Sequence, residues 1–109
     1  MSEELNNKIN NDYVTINTKM NLNYKVETTV IKNEISEVFK EIKNDVEILK
    51  DIEVKLNNSH TNVEISFHYK INNFENFSFL IKKIIFLIEQ KTLSLINTKP
   101  ININLIYEG

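Results

Sequence analysis

The sequence predicts an α+β domain. The expected form is a two-layer sandwich with a β-α-β-β-α-β core, a mainly antiparallel sheet, two helices on one face, and an extra strand at the N-terminal side. Three observations carry this. Apolar residues recur with a period near 3.6 in two long segments and near 2 in several short ones. The two clearest alternating segments are joined by a short polar loop, as in a hairpin. A proline after the second helical segment is followed by one more alternation. The 109 residues suffice for a single domain, taken as residues 12–109 behind a flexible tail over 1–11.

Along the chain, Val14, Ile16 and Thr18 alternate with Tyr13, Thr15 and Asn17, and Tyr24, Val26 and Thr28 repeat the pattern after a turn around Asn21 to Asn23. From Val30 to Leu49 a helical stripe follows: Ile31, Ile35, Val38, Phe39, Ile42, Val46 and Leu49, with Thr28 or Thr29 as cap. Glu37 with Lys40, Glu47 with Lys50, and Lys43 with Glu47 have helical ion-pair spacing. Ile52, Val54 and Leu56 then alternate as a strand. The turn Asn57-Asn58-Ser59-His60 leads into Val63, Ile65, Phe67 and Tyr69. Asn72 to Glu75 has capping-box spacing before a helix from about Asn73 to Asn97. Its broad apolar face comprises Phe77, Leu80, Ile81, Ile84, Ile85 and Ile88, extended by Phe74, Leu95 and Ile96. Pro100 stops it, and Ile101, Ile103 and Leu105 close the domain as a strand. Ferredoxin-like and KH-like strand orders both satisfy this succession.

Composition excludes several function classes. Cysteine is absent, so there is no disulfide and no thiolate nucleophile or ligand. The two histidines, His60 and His68, are too few for an imidazole cluster. The only glycine is Gly109, so glycine-rich phosphate loops are missing, and Asn is the natural substitute wherever a turn needs positive φ. All 13 basic residues are lysine and the net charge is -2, which argues against nucleic acid as a partner. The crowding of Asn, Ile and Lys matches an AT-rich coding bias of the mycoplasma type. The first dozen residues, MSEELNNKINND, have no basic region leading into an apolar stretch, and Lys82-Lys83 divides the greasiest segment. The expectation is therefore a cytoplasmic protein without a transmembrane segment.

Tested for chemistry, Glu37, Glu41 and Asp45 lie on a lysine-laced face and read as solvated carboxylates. Ser59 with His60 and Ser66 with His68 have the residue types of a hydrolase without a nucleophile elbow. Phe67 and Tyr69 share parity with Val63 and Ile65, which aims them at the helices and away from any stacking role with RNA. No catalytic, cofactor or metal residue is expected. The second helix, however, carries more apolar surface than a small sheet needs. Phe79, Phe86 and Leu87, beside Lys82 and Lys83, form the candidate surface for contact with a protein; the alternatives are cover by the tail or first hairpin and contact with a membrane surface.

The run Tyr24-Lys25-Val26-Glu27-Thr28-Thr29-Val30-Ile31-Lys32-Asn33-Glu34-Ile35 resembles the opening of the alkaline shock protein family, where a short strand runs directly into a helix beginning with Val-Ile. Ile52 to Leu56 and Val63 to Tyr69 are similar to its central strand pair, and Ile101-Asn102-Ile103-Asn104-Leu105 to its closing strand. The resemblance covers Tyr24 to Tyr107. Family glycines near the first strand, after the central strands and at the end of the second helix are missing; Asn72-Asn73 stands where one is usual. The resemblance implies a non-enzymatic cytoplasmic protein of cell-envelope or alkaline-stress homeostasis. It would self-associate or reach the membrane indirectly through an anchor protein, with no catalytic residues to carry over. A ribosome- or RNA-associated α+β factor is the alternative.

Overall fold

The computed structural model describes residues 12–18, 22–72 and 74–108. The tail expected over 1–11, the turn residue Asn21, the helix start expected at Asn73 and the side chain of Phe74 lie outside them. In chain order the elements are β1 (Tyr13–Asn17), β2 (Asn23–Glu27), α1 (Thr28–Glu41), β3 (Val46–Ile48), β4 (Glu53–Leu56), β5 (Val63–Ile71), a 3-10 turn (Phe74–Asn76), α2 (Phe77–Ile96) and β6 (Asn102–Tyr107). This is the expected two-layer α+β arrangement, with two strands more than the four of the core pattern: β1, the expected N-terminal addition, and β3, which sequence reading places in the first helix.

The sheet is organised on β5. Its residues alternate strictly, with Val63, Ile65, Phe67, Tyr69 and Ile71 buried beneath the helices and Glu64, Ser66, His68 and Lys70 on the open face. One edge of β5 binds β3 and β4 antiparallel, and the other binds β6 in parallel, Glu64 opposite Asn102 through Tyr69 opposite Tyr107. Direct β5–β6 pairing excludes the ferredoxin-like order, in which the first core strand separates the third from the fourth. Here that strand, β2, pairs with β1 in a separate antiparallel ribbon. Val14 and Ile16 seat the ribbon in the common core, and Thr15 N–H donates to His60 O at 2.8 Å.

Several local expectations give way to long-range pairing. The first helix ends at Glu41, not Leu49, because β5 recruits Val46–Ile48 as β3. Val46 is buried either way, whereas Leu49, which the helical stripe would bury, is exposed. Glu47 therefore has neither Lys43 nor Lys50 as a helical partner and lies 3.9 Å from Lys70 across the strands. The expected Glu37–Lys40 pair is present at 2.9 Å. Between β3 and β4, four residues (Leu49–Ile52) stand opposite two on β5 (Phe67 and His68), so the edge bulges while its faces keep their parity.

Neither helix starts with the expected side-chain cap. Glu27 occupies the cap position of α1, and Thr28 N–H instead donates to Asp12 O at 3.0 Å, tying the helix to β1. Asn76, not Asn72, precedes α2, and it too caps without its side chain. Asn97 at the end of α2 adopts φ 64 and donates its N–H to Leu93 O, the left-handed ending that glycine usually supplies. The second positive φ falls on His60, at 59, which was not foreseen as a turn residue of this kind.

Phe67 is fully buried, with the ring of Phe39 edge-on at 4.8 Å. Phe67→Ala is expected to lower stability by about 3–5 kcal/mol, through lost burial and the cavity left behind. Urea denaturation measures this, and a loss under about 1 kcal/mol would mean that the core closes around the gap.

Candidate functional site

Rotation of about 100° per residue places Leu80, Ile84 and Ile88 on the core side of α2, and all three are buried. Phe79, Phe86 and Leu93, seven residues apart, drift by only about 20° per step and form one ridge on the opposite side. Phe79 is 65% exposed, Phe86 57% and Leu93 38%. Of the candidates read from the sequence, Phe79 and Phe86 are on the ridge, and Lys82 and Lys83 are exposed beside it. Leu87 is half-buried and lies about 100° around the helix from Phe86, so it is at most a flank. Leu93 is the member that sequence reasoning missed, although its spacing from Phe86 equals that of Phe86 from Phe79.

The described residues of the first hairpin leave Phe79 and Phe86 exposed. The hairpin residues pack around the turn between β4 and β5 and the end of α2, where Thr15, Ile16 and Asn17 meet Asn57, Asn62, Asn97 and Ile101 in an open cleft of about 430 Å³. Nearer the ridge, Phe79 and Lys83 line a smaller recess with Asp45, Asn76 and Leu80.

The Asn-rich cleft has the look of a polar ligand site, but its central amides are already engaged. Asn57 Oδ1 accepts from the N–H groups of Thr61 and Asn62 at 2.8 and 3.0 Å, and its Nδ2 donates to Ser59 and Thr61 hydroxyls. Asn62 Nδ2 donates to Lys99 O at 3.0 Å, fixing the α2–β6 connection. These side chains build turns that lack glycine.

The open face of the sheet is similarly self-contained. Asn104 Nδ2 donates to Glu64 Oε2 and Ser66 Oγ, both at 3.1 Å, and Asn102 Nδ2 to Asn104 Oδ1 at 3.0 Å. His68 Nδ1 pairs with the Glu108 carboxylate. The serine and histidine considered for hydrolysis are thus on this face, with Ser66 engaged by an amide and His68 by an acid. Ser59 and His60 lie in the turn at the far end. Phe67 and Tyr69 face the helices, as their parity predicts, so no aromatic of β5 offers a stacking surface here. Among the described residues no group of three or more His, Asp or Glu converges as metal ligands, and no helix is long and apolar enough to cross a membrane.

A line of aromatic rings joins the layers: Phe39, Phe67, Tyr69, Tyr107 and Phe77, with successive centroids 4.8 to 5.9 Å apart. It ties α1, β5, β6 and α2 together beneath the start of the ridge.

Comparisons with protein-family models, curated proteins and solved structures each return no match.

Burial raises the Tyr69 phenol above its usual value of 10.0, and Tyr107 beside it adds to the rise. The unfolded chain then loses this proton at lower pH than the folded one. Its effect on stability is absent below about pH 10 and becomes a loss as pH climbs past that value. Tyr69→Phe should make this alkaline decline shallower, as read by urea denaturation on either side of about pH 10. Parallel declines in the two proteins would exclude Tyr69 as a contributor.

Proposed function

We propose that this chain is a non-enzymatic structural and interaction protein of the alkaline shock protein type. In this reading it serves cell-envelope stress homeostasis in the cytoplasm, by self-association or by binding a membrane-anchor protein. The supporting observation is the ridge of Phe79, Phe86 and Leu93 on the side of α2 opposite the core. Aromatic side chains exposed in a row, flanked by lysines, suit the apolar centre and polar rim of a protein contact. The ridge needs no catalytic group, and the polar clusters elsewhere are engaged in holding turns and strands.

A ribosome- or RNA-associated factor is the second reading. With the ferredoxin-like order excluded, the KH-like alternative is the one that the sequence left open. KH modules clamp nucleotides with a glycine-containing loop, and this chain has neither that glycine nor any arginine.

Light scattering over a range of salt and protein concentrations, on wild type and Phe86→Glu, tests the first reading. Because Phe86 is exposed, the substitution should shift stability by no more than about 0.5 kcal/mol. The expected result is a reduced wild-type assembly, or lost binding to the anchor, in a mutant with an unchanged circular dichroism spectrum. Equal mass and equal anchor binding in both proteins would remove the ridge as the contact. Single-stranded RNA bound by both, with an affinity that falls steeply with salt, would favour the second reading.

A further inference from the structure

The outer edge of β6 lacks the charges that β2, β3 and β4 carry; β1 is uncharged too, but there Thr15 N–H is already engaged by His60 O. β6 pairs with β5 on one side, and among the described residues no strand pairs with its other side. Alternate residues of such a strand turn their N–H and C=O groups outward. Charged side chains normally deter a foreign strand from pairing there. β4 has Glu53 and Lys55, β3 has Glu47, and β2 has Lys25 and Glu27. The six residues of β6, Asn102-Ile103-Asn104-Leu105-Ile106-Tyr107, include no charge and no proline. On the helix side of this edge Ile103 and Leu105 are only half-buried, so the core is open at its margin.

We propose that β6 is a pairing edge for a second copy of this chain. Two β6 strands run antiparallel across a two-fold axis at Asn104 and join two sheets into one. An isologous contact requires a self-complementary patch, and an antiparallel strand pair is one. The side-chain period of two allows only registers that keep like faces together. Centred on Asn104, the pairing sets Ile103 opposite Leu105 on the helix side, and each covers the other's exposed margin. On the open face Asn104 meets Asn104, and Asn102 meets Ile106. The charges that flank β6 are already engaged within the chain, Lys99 with Glu89 on the helix side and Glu108 with His68 on the open face, so the pairing rests on the strand itself. The axis is perpendicular to the sheet, so both helical layers lie on the same side. The two α2 ridges are then presented together, and a partner with two matching sites would gain from the linkage. The pairing does not depend on the function proposed for the ridge.

The absence of cysteine makes the test direct. Residues opposite each other in antiparallel strands have Cα atoms about 4.5–5.5 Å apart, within disulfide range. Asn104→Cys should therefore give a cross-linked dimer under mild oxidation, and Glu53→Cys on the charged edge should not. By light scattering the wild type should be at least a dimer. Asn104→Lys, which sets two lysines face to face across the axis, should halve the mass. Lysine at this position still reaches Glu64, so the fold is expected to hold, with circular dichroism as the check. Should that variant fail to fold, the cross-link decides. Phe86→Glu should leave the β6 dimer intact. A monomeric wild type with Asn104→Cys uncross-linked overturns the proposal. If removal of residues 2–11 then produced the dimer, the edge would belong to the N-terminal segment. Mass lost in Phe86→Glu but kept in Asn104→Lys overturns it as well, and would place the contact between copies on the ridge.

Discussion

Everything in this domain is positioned by the strict alternation of β5. Its five inward residues are at most 5% exposed, and its four outward residues meet partners from both neighbouring strands. A strand held on both edges and packed on one face leaves little freedom to what surrounds it. The bulge between β3 and β4 follows from this: the edge absorbs two extra residues so that Val46, Ile48, Val54 and Leu56 all keep the facing that β5 demands. Phe67, at the middle of the strand, sits where the aromatic line from α1 to α2 crosses the sheet.

That alternation was also the most legible part of the sequence. Val63 to Tyr69, the hairpin leading into it and the long second helix are local patterns, and they read correctly because local periodicity and tertiary burial agree there. Val46 shows where they part. It satisfies a helical stripe and a strand equally, and only pairing with Ile71, far along the chain, chooses between them. The cap of the first helix failed for a related reason: Thr28 N–H is met by the carbonyl of Asp12, a backbone contact across the chain that no short motif records. The exposed ridge was legible as surplus grease, but Leu87 was assigned to it and Leu93 was not, because counting apolar residues does not give their angle around the helix. The parallel β5–β6 pair has no sequence signature at all, since Ile103 and Leu105 alternate equally well in either direction.

The functional character of the molecule follows from which of its groups are already occupied. With no glycine in its turns, asparagine and threonine side chains take over the work of closing them, and Asn57 and Asn62 are consumed in doing so. The amides and acids of the open face hold β6 to β5. Among the described residues, the ridge on α2 and the outer edge of β6 both face outward. Both suit recognition, one through packing and the other through the hydrogen bonds of a shared sheet.

The parallel pairing of β5 with β6 also shapes how the chain comes to be folded. Every one of its six residue pairs closes a loop of 38 residues, across the whole of α2. Contacts at that separation form late, after the local hairpin and the helices. During synthesis β5 emerges with one flank already paired, and it must wait for a further helix before the other flank is filled. Over that interval its free edge and apolar face form a sticky surface on a nascent chain, which concentration and temperature would turn toward aggregation. The slow step of this small domain is therefore expected to be the docking of its closing strand.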